Sequence, residues 1–308
     1  MTSDEQISER GPSPFLSGFR LVDVAVGGGV TIRAAVGGNG PPLLLLHGHP
    51  QTHATWRKIT PALKGHFTVI AADLRGYGDS SKPDGGSQHI NYSKRLMAQD
   101  QVRLMRILGH DRFAVAGHDR GARVVHRMAL DHPDAIARAA VMDIAPTATM
   151  YERTDRAFAT RYFWWFFLIQ PEPLPEKMIG ADPEFFLRRH LAAQVKTRGV
   201  IDDAIFAEYL RCYSDPATRH AICEDYRAAA TIDLVHDAED AGSRITAPLL
   251  ALWGGRGTVG ELYDVIETWR PKAVRVEGRA LECGHMLQEE MPDETAAELL
   301  AFFTAHQS

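Results

Sequence analysis

Cysteine is scarce: Cys212, Cys223 and Cys283 are the only three in a chain of 308 residues. Their odd number and wide spacing exclude a dense disulfide scaffold and the close pairs of a structural zinc site. Long apolar runs are missing too, since no stretch approaches the ~20 residues that a membrane-spanning helix needs. The first fifteen residues are polar and acidic and lack the apolar centre of an export signal. These features together predict a cytoplasmic protein with no membrane anchor. Charge of one sign is in small excess, 34 Lys and Arg against 39 Asp and Glu giving a formal net charge of -5. Nothing in that balance points to nucleic acid or an anionic membrane, so affinity for a small anion must come from local arginines.

What is present is ordinary globular composition, 45% hydrophobic and 24% charged, enough to bury a sizeable core. Residues 19–26 and 30–36 flank Gly27-Gly28-Gly29 and predict a β-hairpin. Short continuous apolar runs follow at 42–46, 67–71, 113–116, 139–142, 249–253 and 273–276, as expected of strands covered on both faces. Helical patterns at 92–108 and 122–130 lie between them, which predicts βαβ crossovers and an α/β fold with a mostly parallel sheet. From 147 to 241 the apolar spacing turns helical, with proline stops and no convincing strand. The expected division is a core of 1–146 and 242–308 with a helical cap of 147–241 inserted. A closing helix is expected at 294–303, with Ala297, Leu300 and Phe303 on its inner side. The aromatic segment 161–167 sits inside the cap, where packing is its simplest use.

Three segments carry chemistry. Gly117-His118-Asp119-Arg120-Gly121 follows the run 113–116 and has the frame of a nucleophile elbow, with aspartate where the usual motif carries serine. A carboxylate is suited to displacing a leaving group from saturated carbon as an ester, so the exchange argues against a serine esterase. The plainer use of Asp119 would be as a helix N-cap. Leu46-His47-Gly48-His49-Pro50 ends the first long apolar run, where such folds place a backbone donor for an oxyanion; His49 is expected to supply one N–H and Arg120 the other. The side chains of His47 and His49 read as loop polarity. Cys283-Gly284-His285 follows the last strand and offers His285 as general base, whose orienting acid is assigned to Asp143, with Asp264 as the weaker candidate. Arg120 and Arg123, three apart on the first helical turn, can converge beside Asp119 and match a carboxylate bidentately; the alternative is an exposed surface pair.

With these residues in place, the chain resembles the haloacetate dehalogenases, including fluoroacetate dehalogenase, of the α/β-hydrolase superfamily. The likeness runs over nearly the whole chain. It is carried by His47-Gly48-His49-Pro50-Gln51-Thr52, Asp73-Leu74-Arg75-Gly76-Tyr77-Gly78-Asp79-Ser80, Gly117 through Arg123, Asp143-Ile144-Ala145-Pro146, Cys223-Glu224-Asp225-Tyr226-Arg227 and Cys283-Gly284-His285. The resemblance implies Asp119 as nucleophile, His285 as base, Asp143 as its acid, and Arg120 with Arg123 as the clamp on a small anionic haloacid. It implies a halide pocket at Trp164, Trp165 and Tyr226, no metal or organic cofactor, and a homodimer. Tryptophan stands at 164 where the family pattern has histidine, and histidine at 49 where phenylalanine is usual. The expected reaction is hydrolysis of a 2-haloacetate to glycolate. Its rivals are an epoxide hydrolase, for which Tyr226 with Tyr151, Tyr162, Tyr209 or Tyr213 could supply ring-opening phenols, and an idle ligand-binding protein on the same scaffold.

Overall fold

The computed structural model describes residues 6–305. Nine strands form one sheet in the order β1-β2-β3-β5-β4-β6-β7-β8-β9. They are β1 (Ile7–Pro12), β2 (Arg20–Gly27), β3 (Val30–Gly38), β4 (Pro42–Leu46), β5 (Thr68–Ala72), β6 (Phe113–His118), β7 (Ile136–Met142), β8 (Leu249–Gly254) and β9 (Val276–Leu281). β1, β2, β3 and β5 pair antiparallel in succession, and from β5 through β4, β6, β7 and β8 to β9 every pair is parallel.

The unbroken apolar runs have a direct explanation, because alternate residues of one strand point to opposite faces. In β4, Leu44 and Leu46 enter one core while Leu43 and Leu45 enter the other. Helices cover both faces, so neither set meets water. Helix α1 (Lys94–Ile107) starts at Ser93, whose side chain accepts from the Leu96 N–H, and α2 (Arg120–Asp131) springs directly from β6.

Both edges of the sheet depart from the sequence expectation. β1 has the sequence ISERGP and no apolar pattern, and β9 lies at 276–281, mostly beyond the apolar run at 273–276. Edge strands need only one ladder and face solvent, so polar residues suit them. The closing helix, Pro292–Thr304, is turned by one position: Thr295, Ala296, Leu299, Phe302 and Phe303 are buried, whereas Ala297 is exposed. Thr295 belongs to the inner stripe because its hydroxyl donates to the Leu287 carbonyl, which a polarity pattern cannot foresee.

Between β7 and β8 the chain forms eight helices from Thr147 to Glu239 and no strand. They lie over the carboxyl ends of the parallel strands, where open α/β sheets bind ligands. Among the described residues no helix is long and apolar enough to cross a membrane.

Candidate active site

The turn from β6 into α2 is fixed by backbone crowding. A Cβ on Gly117 would lie 2.5 Å from the Gly121 carbonyl oxygen, and one on Gly121 would lie 2.3 Å from that of Leu46. Only glycine fits, and the tight turn forces Asp119 itself to a φ of 49°. Strain of this kind on a non-glycine residue is characteristic of sites where a side chain must be presented.

Asp119 begins the helix without capping it, since its carboxylate accepts no bond from the helix N–H groups. Its Oδ1 instead accepts the His49 N–H at 2.9 Å. Its Oδ2 lies 3.7 Å from His285 Nε2, a ring nitrogen with no partner of its own. The corresponding contact from the Arg120 N–H is not among the hydrogen bonds of the described residues.

His285 Nδ1 meets Asp143 Oδ2 at 2.5 Å, while Asp143 Oδ1 accepts the Gly254 N–H at 2.8 Å. That pair of bonds fixes the ring and leaves Nε2 turned toward Asp119. Asp264 is elsewhere, exposed and capping a short helix through the Glu267 N–H. His118 supports His285 from below, its Nε2 at 2.8 Å from the His285 carbonyl oxygen and its Nδ1 at 3.1 Å from Gln51.

Charge follows from burial and partners. Burial opposes ionisation of Asp119, but His285, His118, Arg120 and Arg123 outweigh it and hold the carboxyl well below the usual range. Burial also opposes protonation of His285, yet its bond to Asp143 and the charges of Asp143 and Asp119 raise its pKa.

The arginine pair differs from the expectation in an informative way. Neither is a surface residue: Arg120 is 0% exposed and Arg123 3%. The Arg120 fork is already occupied, Nε and Nη2 donating to the Asp225 carboxylate at 2.8 and 2.9 Å. Arg123 donates through Nη1 to the Ala145 carbonyl and the Thr147 hydroxyl, and its Nη2 lies beside the Met150 sulfur. A double fork on one ligand is therefore unavailable. What remains is one open donor on each, Arg120 Nη1 and Arg123 Nε.

Asp225 is the residue that sequence reasoning left without a role. It also takes the Lys94 ammonium and the Tyr77 hydroxyl, so two buried cations share its charge. Its position beside Tyr226 in a quoted motif was the available signal.

Aromatic rings close the site from above. Arg120 lies over the Tyr226 ring at 4.2 Å and Arg123 over that of Trp165 at 4.7 Å. The Trp165 indole N–H is buried with no partner, and the two rings meet edge-on. Trp164 is not brought into that pair: its ring contacts are Tyr162, Phe163 and His190. His190, with both nitrogens unpartnered, stands between Trp164 and His49. A lone histidine on the helix Pro183–Gln194 carried no sequence signal for such a place.

Residues 41–292 match the profile of the alpha/beta hydrolase fold family. A fluoroacetate dehalogenase from a Burkholderia species is 46% identical over 290 residues, covering 94% of each chain. A soluble epoxide hydrolase from a Corynebacterium species is 35% identical, covering 89% of this chain and 94% of its own. Among solved structures, a Salmonella enterica protein provisionally described as an acyltransferase aligns with a TM-score of 0.95 at 60% identity, over 96% of this chain and 98% of its own. With an aspartate at the elbow and these relatives across its length, the chain belongs to the haloacetate dehalogenase family of the alpha/beta hydrolase superfamily.

Proposed function

We propose that this chain hydrolyses a 2-haloacetate to glycolate and halide through an ester formed on Asp119. The observation that carries the reading is a buried, ionised carboxylate at the elbow with two open guanidinium N–H groups, Arg120 Nη1 and Arg123 Nε, close by. A substrate carboxylate supplies the acceptors those donors lack. Its α-carbon is then positioned for in-line attack by Asp119 Oδ2, because Oδ1 is already engaged by the His49 N–H.

The new C–O bond forms as the carbon-halogen bond breaks, and the halide leaves with the bonding pair toward Trp165 and Tyr226. His285 Nε2 then takes a proton from water, whose oxygen attacks the Asp119 carbonyl carbon. Oδ1 becomes the oxyanion, held by the His49 N–H and, by family likeness, that of Arg120. Collapse expels glycolate, which takes the proton from His285, and the carboxyl left on Asp119 gives up the second water proton, through His285 to solvent, to restore the carboxylate. In this proposal residues 147–241 form a cap domain over a core of 1–146 and 242–308, and the enzyme works as a cytoplasmic homodimer without a cofactor.

Trp164 in place of histidine keeps one N–H donor but adds bulk, and its ring packs on Tyr162, Phe163 and His190 and not with Trp165 and Tyr226, which makes the leaving-group side less polar. Fluoride depends most on such donors, each charge-assisted bond contributing about 1.5 to 3 kcal/mol. Chloroacetate and bromoacetate are therefore expected to react at least as fast as fluoroacetate. Halide release from the three acids tests this, and a strong preference for fluoroacetate overturns the leaving-group argument. In water enriched in heavy oxygen, a single turnover should label Asp119 before glycolate; label passing straight into glycolate would mean direct attack by water. An uncharged epoxide gives the open guanidinium donors nothing to bind, so diol formation without halide release is the result that favours the rival.

A further inference from the structure

The side chain of His49 has a place that its loop position did not suggest. It is 1% exposed and lies between two phenols, with Nε2 at 3.3 Å from the Tyr213 hydroxyl and Nδ1 at 3.4 Å from that of Tyr226. Burial is the largest influence on the ring and pushes its pKa down to about 3, so it is neutral and carries one proton. That proton can sit on either nitrogen, and the choice decides what Tyr226 can do.

With the proton on Nε2, the ring donates to Tyr213 and accepts the Tyr226 O–H, which is then withheld from the site. With the proton on Nδ1, Tyr213 donates to Nε2, the ring donates to the Tyr226 oxygen, and the Tyr226 O–H is free. Each arrangement makes two bonds and leaves one phenol proton over. The surroundings break the tie. Neither hydroxyl has another partner among the described residues, so what each ring faces decides: that of Tyr213 is stacked on Phe186. A stranded O–H there would cost the full desolvation of a buried donor. The Tyr226 ring lies against Arg120 and Trp165, on the side where the leaving group is received.

We infer that Tyr213 and His49 are positioning residues that hold the Tyr226 hydroxyl as a hydrogen-bond donor to the departing halide, through an Nδ1-protonated His49. This rests on the dehalogenase reading above. It assigns a specificity role to the histidine at 49, where the family pattern has phenylalanine.

Substitution of Tyr213 by Phe removes the bond that keeps Nε2 an acceptor. Each form then keeps one bond, but the Nδ1-protonated ring leaves both Nε2 and the Tyr226 O–H without a protein partner while the other form leaves only Nε2–H, so the balance moves to Tyr226 donating to Nδ1 with its proton withheld. Bromide needs that donor less than fluoride does. The Tyr213→Phe enzyme should therefore lose about tenfold or more in kcat for fluoroacetate relative to bromoacetate. The double variant His49→Phe/Tyr213→Phe deletes the ring that sequesters the proton and should restore the ratio to near that of the parent. A merely structural role for Tyr213 would depress all substrates together and would not be relieved by a second substitution.

Nitrogen-15 spectra of histidine-labelled protein, with His49 assigned through His49→Phe, read the protonated nitrogen without any substrate. Nδ1–H in the parent and Nε2–H in Tyr213→Phe are expected. Nε2–H in the parent, or an unchanged fluoride-to-bromide ratio in an active Tyr213→Phe enzyme, overturns the inference while leaving dehalogenation intact. Absence of halide release by the parent from any of the acids overturns the dehalogenase reading itself, and this assignment with it.

Discussion

Single residues at this site are defined by who neutralises whom. Asp143 holds His285 through a 2.5 Å bond, and that bond and its charge are the leading influences that raise the His285 pKa against the opposing effect of burial. The sign of the pH effect follows. In the proposed reaction water activation needs neutral His285, so turnover should rise with pH through a midpoint above the ordinary 6.5. Asp143→Asn removes the raising partner, which moves that midpoint to lower pH and, through the lost orientation, cuts kcat by about a hundredfold or more. A pH–rate profile in which the acid limb stays put, or moves upward, would show that Asp143 does not set the base. At this scale the sequence was most informative about residues whose neighbours in the chain announce them: Asp119 by its glycine frame, His285 and Asp143 by their places after strands. It gave no role to Asp225 or His190 and offered Tyr213 only as a ring-opening phenol, because their contacts with Arg120 and His49 reach across more than a hundred residues of chain.

Elements were legible where hydrophobic pattern and burial coincide. Strands β4, β6 and β8 and helices α1 and α2 stand within two residues of their expected bounds, because each buries an apolar face and starts or stops at a clear signal. The edge strands were not, because β1 and β9 have little apolar surface to declare. The most demanding element is the elbow, where a strand, a one-residue turn and a helix must pass within touching distance of β4. Adding one carbon tests that demand. A Cβ on Gly121 would meet the carbonyl oxygens of Leu46 at 2.3 Å and His47 at 2.5 Å, both backbone atoms that cannot swing aside. Gly121→Ala should lower stability by about 1 to 3 kcal/mol, read as a lower urea midpoint at an unchanged m-value. Gly65→Ala is the control, since nothing lies within 4 Å of its added carbon. Equal midpoints for the two variants would mean that the elbow is looser than its geometry indicates.

For the whole molecule the governing fact is closure. Asp119 is 4% exposed, His285 3% and Trp165 0%, so these side chains are closed off from bulk water, and a shift of the helical segment against the sheet would open the way to them. The two are joined near one margin of the site by Arg57, which donates to the buried Glu289 at 2.6 Å and to Asp202 at 3.1 Å. Glu289, raised in pKa by burial, has Lys58 as its other cation and also accepts the Tyr209 hydroxyl. Helix Asp203–Tyr213 hangs from this joint and carries both Tyr209 and Tyr213, so the joint also bears on the phenol that contacts His49. Removing one partner of a buried ion pair costs about 3 kcal/mol or more, because the remaining charge is left short of compensation. In Arg57→Ala that cost should fall on the joint before the sheet, where β4 and β6 are anchored in both cores. Hydrogen exchange is the measurement: amides of 203–213 should exchange about a hundredfold faster while those of β4 and β6 keep their protection. Uniform acceleration across the sheet and the helices would mean that the segment does not open independently, and that substrate entry has to be sought in a smaller motion.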